Sequence, residues 1–190
     1  GNCTYCSSPF LYKRKVRYRS ISNVVEELKH IKYDLGINQV HFHDDNFLLD
    51  HERVKALCKA MIDNNLDIIW ICLARIDTLV EHPEILSIMK RSGCIGVELG
   101  VESCDASVLG HMNKPDHIEK LRKAVKLLKE NTIVPLYLVM CYFEGDTIGS
   151  PYNTLRTLYQ LSFGSLGSDI LPLIDYDNFH VFSHLTRISP

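Results

Sequence analysis

Apolar positions along the 190-residue chain fall into two alternating rhythms. Stretches with a helical repeat are followed by short runs of Ile, Val, Leu and aromatic residues, and the pair recurs. "SISNVVEELKHIKYDLG" places Val24, Leu28, Ile31 and Leu35 on one helical face. Ser22 is its expected N-cap, Glu26 and Glu27 sit near the positive end of the helix dipole, and Gly36 follows as a stop. "INQVHFHDD" then predicts a strand. "DHERVKALCKAMIDNN", capped by Asp50, predicts the next helix and "LDIIWICLAR" the next strand. "HPEILSIMKRSG", with Pro83 in its first turn, precedes "CIGVELGVES", and "PDHIEKLRKAVKLLKEN" precedes "TIVPLYLVMCYFEGD". A helix at "SPYNTLRTLYQLSF", an irregular connection over 164–178 and a final strand at "NFHVFSHLT" complete the pattern.

Strand starts near 38, 67, 94 and 132 leave room for one crossover helix each, so the strands are expected to be parallel. Their apolar bodies suit a sheet covered on both faces. Two α/β architectures fit: a (β/α) barrel, whole or partial, and an open doubly wound sheet. Residues 1–190 show no linker and read as one domain.

In either architecture ligands gather at the carboxyl ends of the strands. The predicted ends read "HFHDDNF", "ARID", "GVES", "YFEGDT" and "HLTRISP", all polar after apolar bodies. His41 and His43 share one strand face, and with Asp45 they form a candidate set for a metal-dependent hydrolase. The competing reading makes them hydrogen-bonded strand residues beside a capped turn. Gly100 allows close backbone approach to a ligand, and Glu102 and Ser103 can bind hydroxyl or amino groups. Gly145, Asp146 and Thr147 have the composition of a turn.

A net charge of -2 gives no global basic field for nucleic acid, so the basic run from Tyr12 to Arg19 reads as a solvated approach to the first long helix. No apolar run reaches the length of a membrane helix. Seven cysteines without framework spacing point to a reducing compartment and hence to the cytoplasm. Cys58, Cys72, Cys94, Cys104 and Cys141 lie in apolar or helical stretches, as buried thiols do. Cys3 and Cys6 form a CxxC pair outside a thioredoxin-like element order and without the second pair of a zinc site. Iron–sulfur ligation needs a further Cys, and none follows nearby.

"CTYC" resembles the last part of the CxxxCxxC motif of radical S-adenosylmethionine enzymes. "VHFHDDNFLLDHERVKALC", "WICLARIDTL", "MKRSGCIGVELGVES" and "MNKPDHIEKLRKAVKLLKE" are similar to segments of the cobalamin-associated and methylthiotransferase-like branches, in the same order. The resemblance implies a partial (β/α)6 TIM-type barrel with outer helices, its first strand lying before residue 1. It implies a [4Fe–4S] cluster held by Cys3, Cys6 and a cysteine four residues before Cys3, with Tyr5 as the aromatic before the last ligand. S-adenosylmethionine would chelate the open iron and be cleaved reductively to a 5′-deoxyadenosyl radical that abstracts hydrogen. By the same resemblance, Asp44 and Asp45 lie where the family contacts the methionine amino group. Glu102 and Ser103 match the position that contacts ribose or carboxylate, and Gly145, Asp146 and Thr147 the loop beside the adenosyl part. Arg75 and Asp77 match a polar pair of unassigned role. Two departures stand out: Asp-Asp replaces the Gly-Gly-Glu of many relatives, and Glu144 stands where a proline is usual. A one-electron donor such as flavodoxin or ferredoxin is implied. Methyl or methylthio transfer follows where the parent carries a cobalamin or second-cluster domain. A degenerate, structural metal-binding domain is the non-enzymatic alternative.

Overall fold

The computed structural model describes residues 6–13, 15–114 and 117–163. Four parallel strands form the sheet in sequential order: β1 (Gln39–Phe42), β2 (Ile69–Ala74), β3 (Cys94–Glu102) and β4 (Val134–Val139). Around them run α1 (Ser8–Leu11), α2 (Ile21–Lys29), α3 (His51–Asp63), α4 (Ile76–Glu81), α5 (Leu86–Arg91), α6 (Ala106–His111), α7 (His117–Glu130) and α8 (Ser150–Phe163).

Alternation along the strands decides between the two architectures. Trp70, Cys72 and Ala74 of β2 and Val97, Leu99 and Val101 of β3 are buried in one core with α3, α5 and α7. From those helices Leu57, Met61, Leu86, Met89, Leu121 and Leu128 fill it. The opposite face, with Ile69, Ile71, Leu73 and Glu98, is exposed or half-buried. A doubly wound sheet reverses its strand order and covers both faces. Sequential order with one buried face is the wall of a (β/α) barrel seen from its outside. Trp70 anchors that wall: its indole N–H donates to the Ser92 carbonyl at 3.0 Å, and Phe42 packs edge-on against its ring.

Several expectations are corrected in detail. The N-cap of α2 is Ser20, not Ser22. Ser20 has the extended backbone a cap needs, and its hydroxyl accepts from the Asn23 N–H. Val25 and Leu28 carry the buried face, while Leu35 is exposed. A widened turn over His30–Asp34 adds a residue to the helical repeat and rotates Leu35 away from the core. The fourth strand ends at Val139, well before the acidic turn. Helices α4 and α6 arise inside stretches read as strand-end loops. Ile76 with Leu79, and Val108 with Leu109, supply just enough buried surface for one or two turns. The Asp50 cap of α3 and the helix over 150–163 stand as expected. The strand predicted at "NFHVFSHLT", and the connection before it, lie outside the described residues.

Candidate active site

Parallel strands deliver their exits to one rim, so the "HDDN" exit of β1, Arg75 after β2, the Glu102 exit of β3 and the loop after β4 share one end of the sheet. On the open face His41 Nε2 lies 3.1 Å from Glu98 Oε2, reaching across β2, and the His43 ring lies 3.9 Å from that of His41. Burial is partial, with 27% and 19% of the His41 and Glu98 side chains exposed. The carboxylate accepts the Nε2–H. Its neighbours on this face, Ile71, Leu73 and Leu136, are apolar.

Glu102 is the most unusual residue at the rim. It takes a left-handed backbone, φ 61°, at the register shift between β3 and β4. A non-glycine residue held there costs about 1 kcal/mol, which the surrounding bonds must supply. The Glu102 carbonyl accepts from Met140 N at 2.8 Å, and its carboxylate meets the Lys114 ammonium at 3.2 Å. That carboxylate folds back over Gly100, where a Cβ would stand 2.9 Å from Oε1.

Ser103 sits one residue further on in a buried knot. Its hydroxyl accepts from Asp105 N and lies 3.4 Å from that of Thr154, while Thr154 Oγ1 accepts from Cys104 N. Ser150 donates to Asp105 Oδ2 and accepts from Thr147 N. The knot fastens the β3 exit to the start of α8. Gly145 and Asp146 form the turn that leads into it: Asp146 accepts from Phe143 N, and Gly145 has φ 88° with its α-carbon pressed against His111. Only glycine fits, since a Cβ would lie 2.6 Å from His111 Nδ1.

Asp44 and Asp45 are exposed on the β1 exit. Asn46 fixes that exit to the next one by donating to Thr78 Oγ1 and accepting from Arg75 N. The Tyr18 phenol is raised by burial and by Asp50, with Arg53 opposing and Asp44 adding, so Asp44 stands near the basic run. Arg53 lies over the Tyr18 ring at 4.9 Å, and Arg19 pairs with Glu27. Arg75 and Asp77 acquire a role: Asp77 joins Arg75 to Lys120, which ties α4 to α7. Burial pushes the Asp77 carboxyl up, but these two cations outweigh it and hold the group below its usual range.

The thiols divide by burial. Burial pushes Cys58 and Cys104 up to about 11, and the Cys94 hydrogen bond with burial raises Cys72 further. None of these is a thiolate at neutral pH. Cys6 is free and exposed, so its sulfur is available to a metal cluster. Cys141, expected to be buried, is exposed on the β4 exit because the strand stops two residues earlier. Cys3 and Tyr5 lie outside the described residues.

The hydrolase set does not assemble, since His41 is paired with Glu98 rather than with Asp45. Among the described residues, the His/Cys/Asp/Glu group whose donor atoms lie close enough to share an ion is His51, His82 and Glu84. Glu98, Lys114 and Asn46 were missed from sequence. Glu98 did leave a signal, as an acid alternating with Val97 and Leu99 in an apolar strand.

The fold is that of a partial (β/α) barrel with polar residues gathered at the strand ends. A family model described as the radical SAM superfamily matches residues 1–158, and the chain belongs to that superfamily. It is a radical SAM enzyme chain, and membership brings with it a [4Fe–4S] cluster and S-adenosylmethionine as cofactors. It is 32% identical over 146 residues to an uncharacterized methyltransferase of Pyrococcus horikoshii, covering 77% of this chain and 31% of that protein. A cytidylyl-2-hydroxyethylphosphonate methyltransferase of Streptomyces wedmorensis is 29% identical over 127 residues, 66% of this chain and 23% of that one. Among solved structures, the radical S-adenosylmethionine methyltransferase TsrM of Kitasatospora setae, with cobalamin and a [4Fe–4S] cluster bound, superposes with a TM-score of 0.67. The identity is 17%, over 84% of this chain and 32% of that one. The chain spans less than a third of the length of these curated relatives. Among the described residues no helix is long and apolar enough to cross a membrane.

Proposed function

We propose that this chain is the radical-generating core of a methyltransferase, with cobalamin as a further cofactor of the full-length protein. The reading is supported by the methyltransferase relatives and by the cobalamin-containing structure of the same fold. The observation that carries the site is Glu102: a strained, left-handed acid at a strand exit, held by Lys114 and facing the open side of the sheet.

Cys3 and Cys6 are the thiolates of this chain that would hold the cluster, with Tyr5 the aromatic before Cys6 in the motif. When bound, the cluster supplies the electron that cleaves S-adenosylmethionine. Asp44 and Asp45 on the rigid β1 exit accept hydrogen bonds from the methionine ammonium. Glu102 accepts from the ribose hydroxyls. Ser103 acts as a positioning residue, because its hydroxyl is spent in the knot that holds Glu102 at the rim. Gly145, Asp146 and Thr147 border the adenosyl part. The open face below, with its apolar strip and the His41–Glu98 pair, orients the substrate. The electron comes from a carrier such as flavodoxin or ferredoxin, in the cytoplasm.

The test is product analysis with the reduced, cluster- and cobalamin-loaded full-length protein. Methyl transfer from S-adenosylmethionine leaves S-adenosylhomocysteine, whereas radical generation leaves 5′-deoxyadenosine and methionine. Both sets of products are expected. Formation of 5′-deoxyadenosine alone, with and without cobalamin, would restrict the enzyme to hydrogen abstraction and refute methyl transfer.

A further inference from the structure

On the helical side, away from the open face, two histidines from different elements meet. His51 opens α3 and His82 follows α4, and their rings stack with centroids 3.7 Å apart and planes 12° from parallel. Glu84 Oε1 lies 3.5 Å from His82 Nδ1, and Glu52 Oε1 lies 3.4 Å from His51 Nε2. One donor atom from each of His51, His82 and Glu84 lies within 4.8 Å of the other two. The backbones beneath are fixed. Asp50 caps α3 through Arg53 N at 2.9 Å, and Leu48 and Ile85 are fully buried on either side of the cluster.

A cation already serves these carboxylates. Lys55 Nζ lies 2.7 Å from Glu52 Oε1 and 3.8 Å from Glu84 Oε1. The cluster thus offers two imidazoles and two carboxylates around a position where positive charge is favoured. A tetrahedral ion with bonds of about 2.0–2.2 Å needs donor atoms roughly 3.5 Å apart. Reaching that spacing requires rotation about the outer bonds of the exposed glutamates and half-buried histidines.

We propose that His51, His82 and Glu84, with Glu52 closing the fourth position, bind one divalent ion of the zinc class. Two imidazole nitrogens select zinc, cobalt or nickel over calcium and magnesium, which take oxygen donors. Four protein ligands leave no open position, so the site is structural. Its effect is to join the start of α3 to the connection between α4 and α5. Segment 43–50 joins β1 to α3 and α4 joins β2 to that connection, so the ion ties together the two chain segments that continue from the rim carrying Asp44 and Asp45. The inference is independent of the methyltransferase reading.

Cobalt(II) is the probe, titrated anaerobically into the cluster-loaded protein, in which the ligand thiols are already engaged. One equivalent is expected to saturate, giving tetrahedral ligand-field bands without a sulfur-to-metal charge-transfer band. His51→Ala and His82→Ala should each weaken binding at least tenfold. Lys55→Met keeps all four ligands and removes the cation that now pairs with Glu52, so it should tighten binding several-fold at physiological ionic strength. Absence of one-equivalent saturation overturns the site. So does affinity unchanged in both alanine variants, or a charge-transfer band that places the ion on thiolate. An unchanged Lys55→Met affinity removes Glu52 and Glu84 from the ligand set and overturns the site as proposed.

Discussion

Replacing Gly100 with alanine perturbs Glu102 without altering it. The new Cβ would stand 2.9 Å from Glu102 Oε1, about 0.5 Å inside ordinary van der Waals contact. The obstructed atom ends a flexible side chain, so the carboxylate moves and the strand stays. Its 3.2 Å contact with Lys114 is then lost. The effect on stability is small. Loss of the ion pair at the rim costs about 1 kcal/mol, and alanine in place of glycine in a strand offsets about 0.5–1 kcal/mol of it. The effect on cofactor binding is larger, because a hydrogen bond to a charged group contributes roughly 1.5–3 kcal/mol. That range corresponds to about 10- to 150-fold in affinity. Anaerobic calorimetry of the cluster-loaded protein with S-adenosylmethionine measures it, alongside the melting temperature. Gly100→Ala and Glu102→Gln should both weaken binding at least tenfold, with melting close to wild type. Glu102→Gly also removes the carboxylate but relieves the left-handed strain, so it should bind weakly and be no less stable. Wild-type affinity in all three variants would refute Glu102 as a cofactor contact. Weak binding accompanied by collapse of melting in Gly100→Ala would refute the claim that only the carboxylate moves.

Much of the framework was legible because it rests on periodicity. Buried strands separated by amphipathic helices announce parallel crossovers, and a capping Asp50 or an N-terminal "SP" at α8 is a local signal. The errors have local causes too. The His30–Asp34 turn breaks the 3.6 repeat, so a face drawn through Leu35 fails. Helices α4 and α6 are too short for any repeat to show. The superfamily itself was legible through its motifs, since the family model matches residues 1–158. The His41–Glu98 pair and the Glu102–Lys114 pair join residues from separate elements, and such contacts depend on register that sequence spacing does not fix. Ser103 shows the converse. Its motif placed it among ligand contacts, and its burial against Thr154 assigns its hydroxyl to the fold.

Three further outcomes are expected. Thr154→Val removes the acceptor for Cys104 N and should cost about 1–3 kcal/mol in urea unfolding; a loss below about 0.5 kcal/mol would show that the knot does not hold α8. Trp70→Phe leaves the Ser92 carbonyl without its indole donor and opens space beside Phe42, so about 2–4 kcal/mol should be lost by the same assay, and near-neutral behaviour would contradict the packing described. Burial and then Lys114 lower the His117 pKa, although its bond to Val101 O opposes them. The protonated form is therefore favoured in the unfolded chain: this contribution to stability is complete above a pH of about 6.5 and is lost as pH falls toward the lowered value. Wild type should lose more stability than His117→Gln between pH 7.5 and 5.5, and equal losses would remove His117 as the cause.

The most direct test of the central claim is the electron paramagnetic resonance spectrum of the reduced, iron- and sulfide-reconstituted full-length protein. The account predicts a [4Fe–4S]⁺ signal that shifts when S-adenosylmethionine is added and is lost in Cys6→Ala. A signal that ignores the cofactor, or a cluster that forms unchanged without the Cys6 thiol, would contradict it.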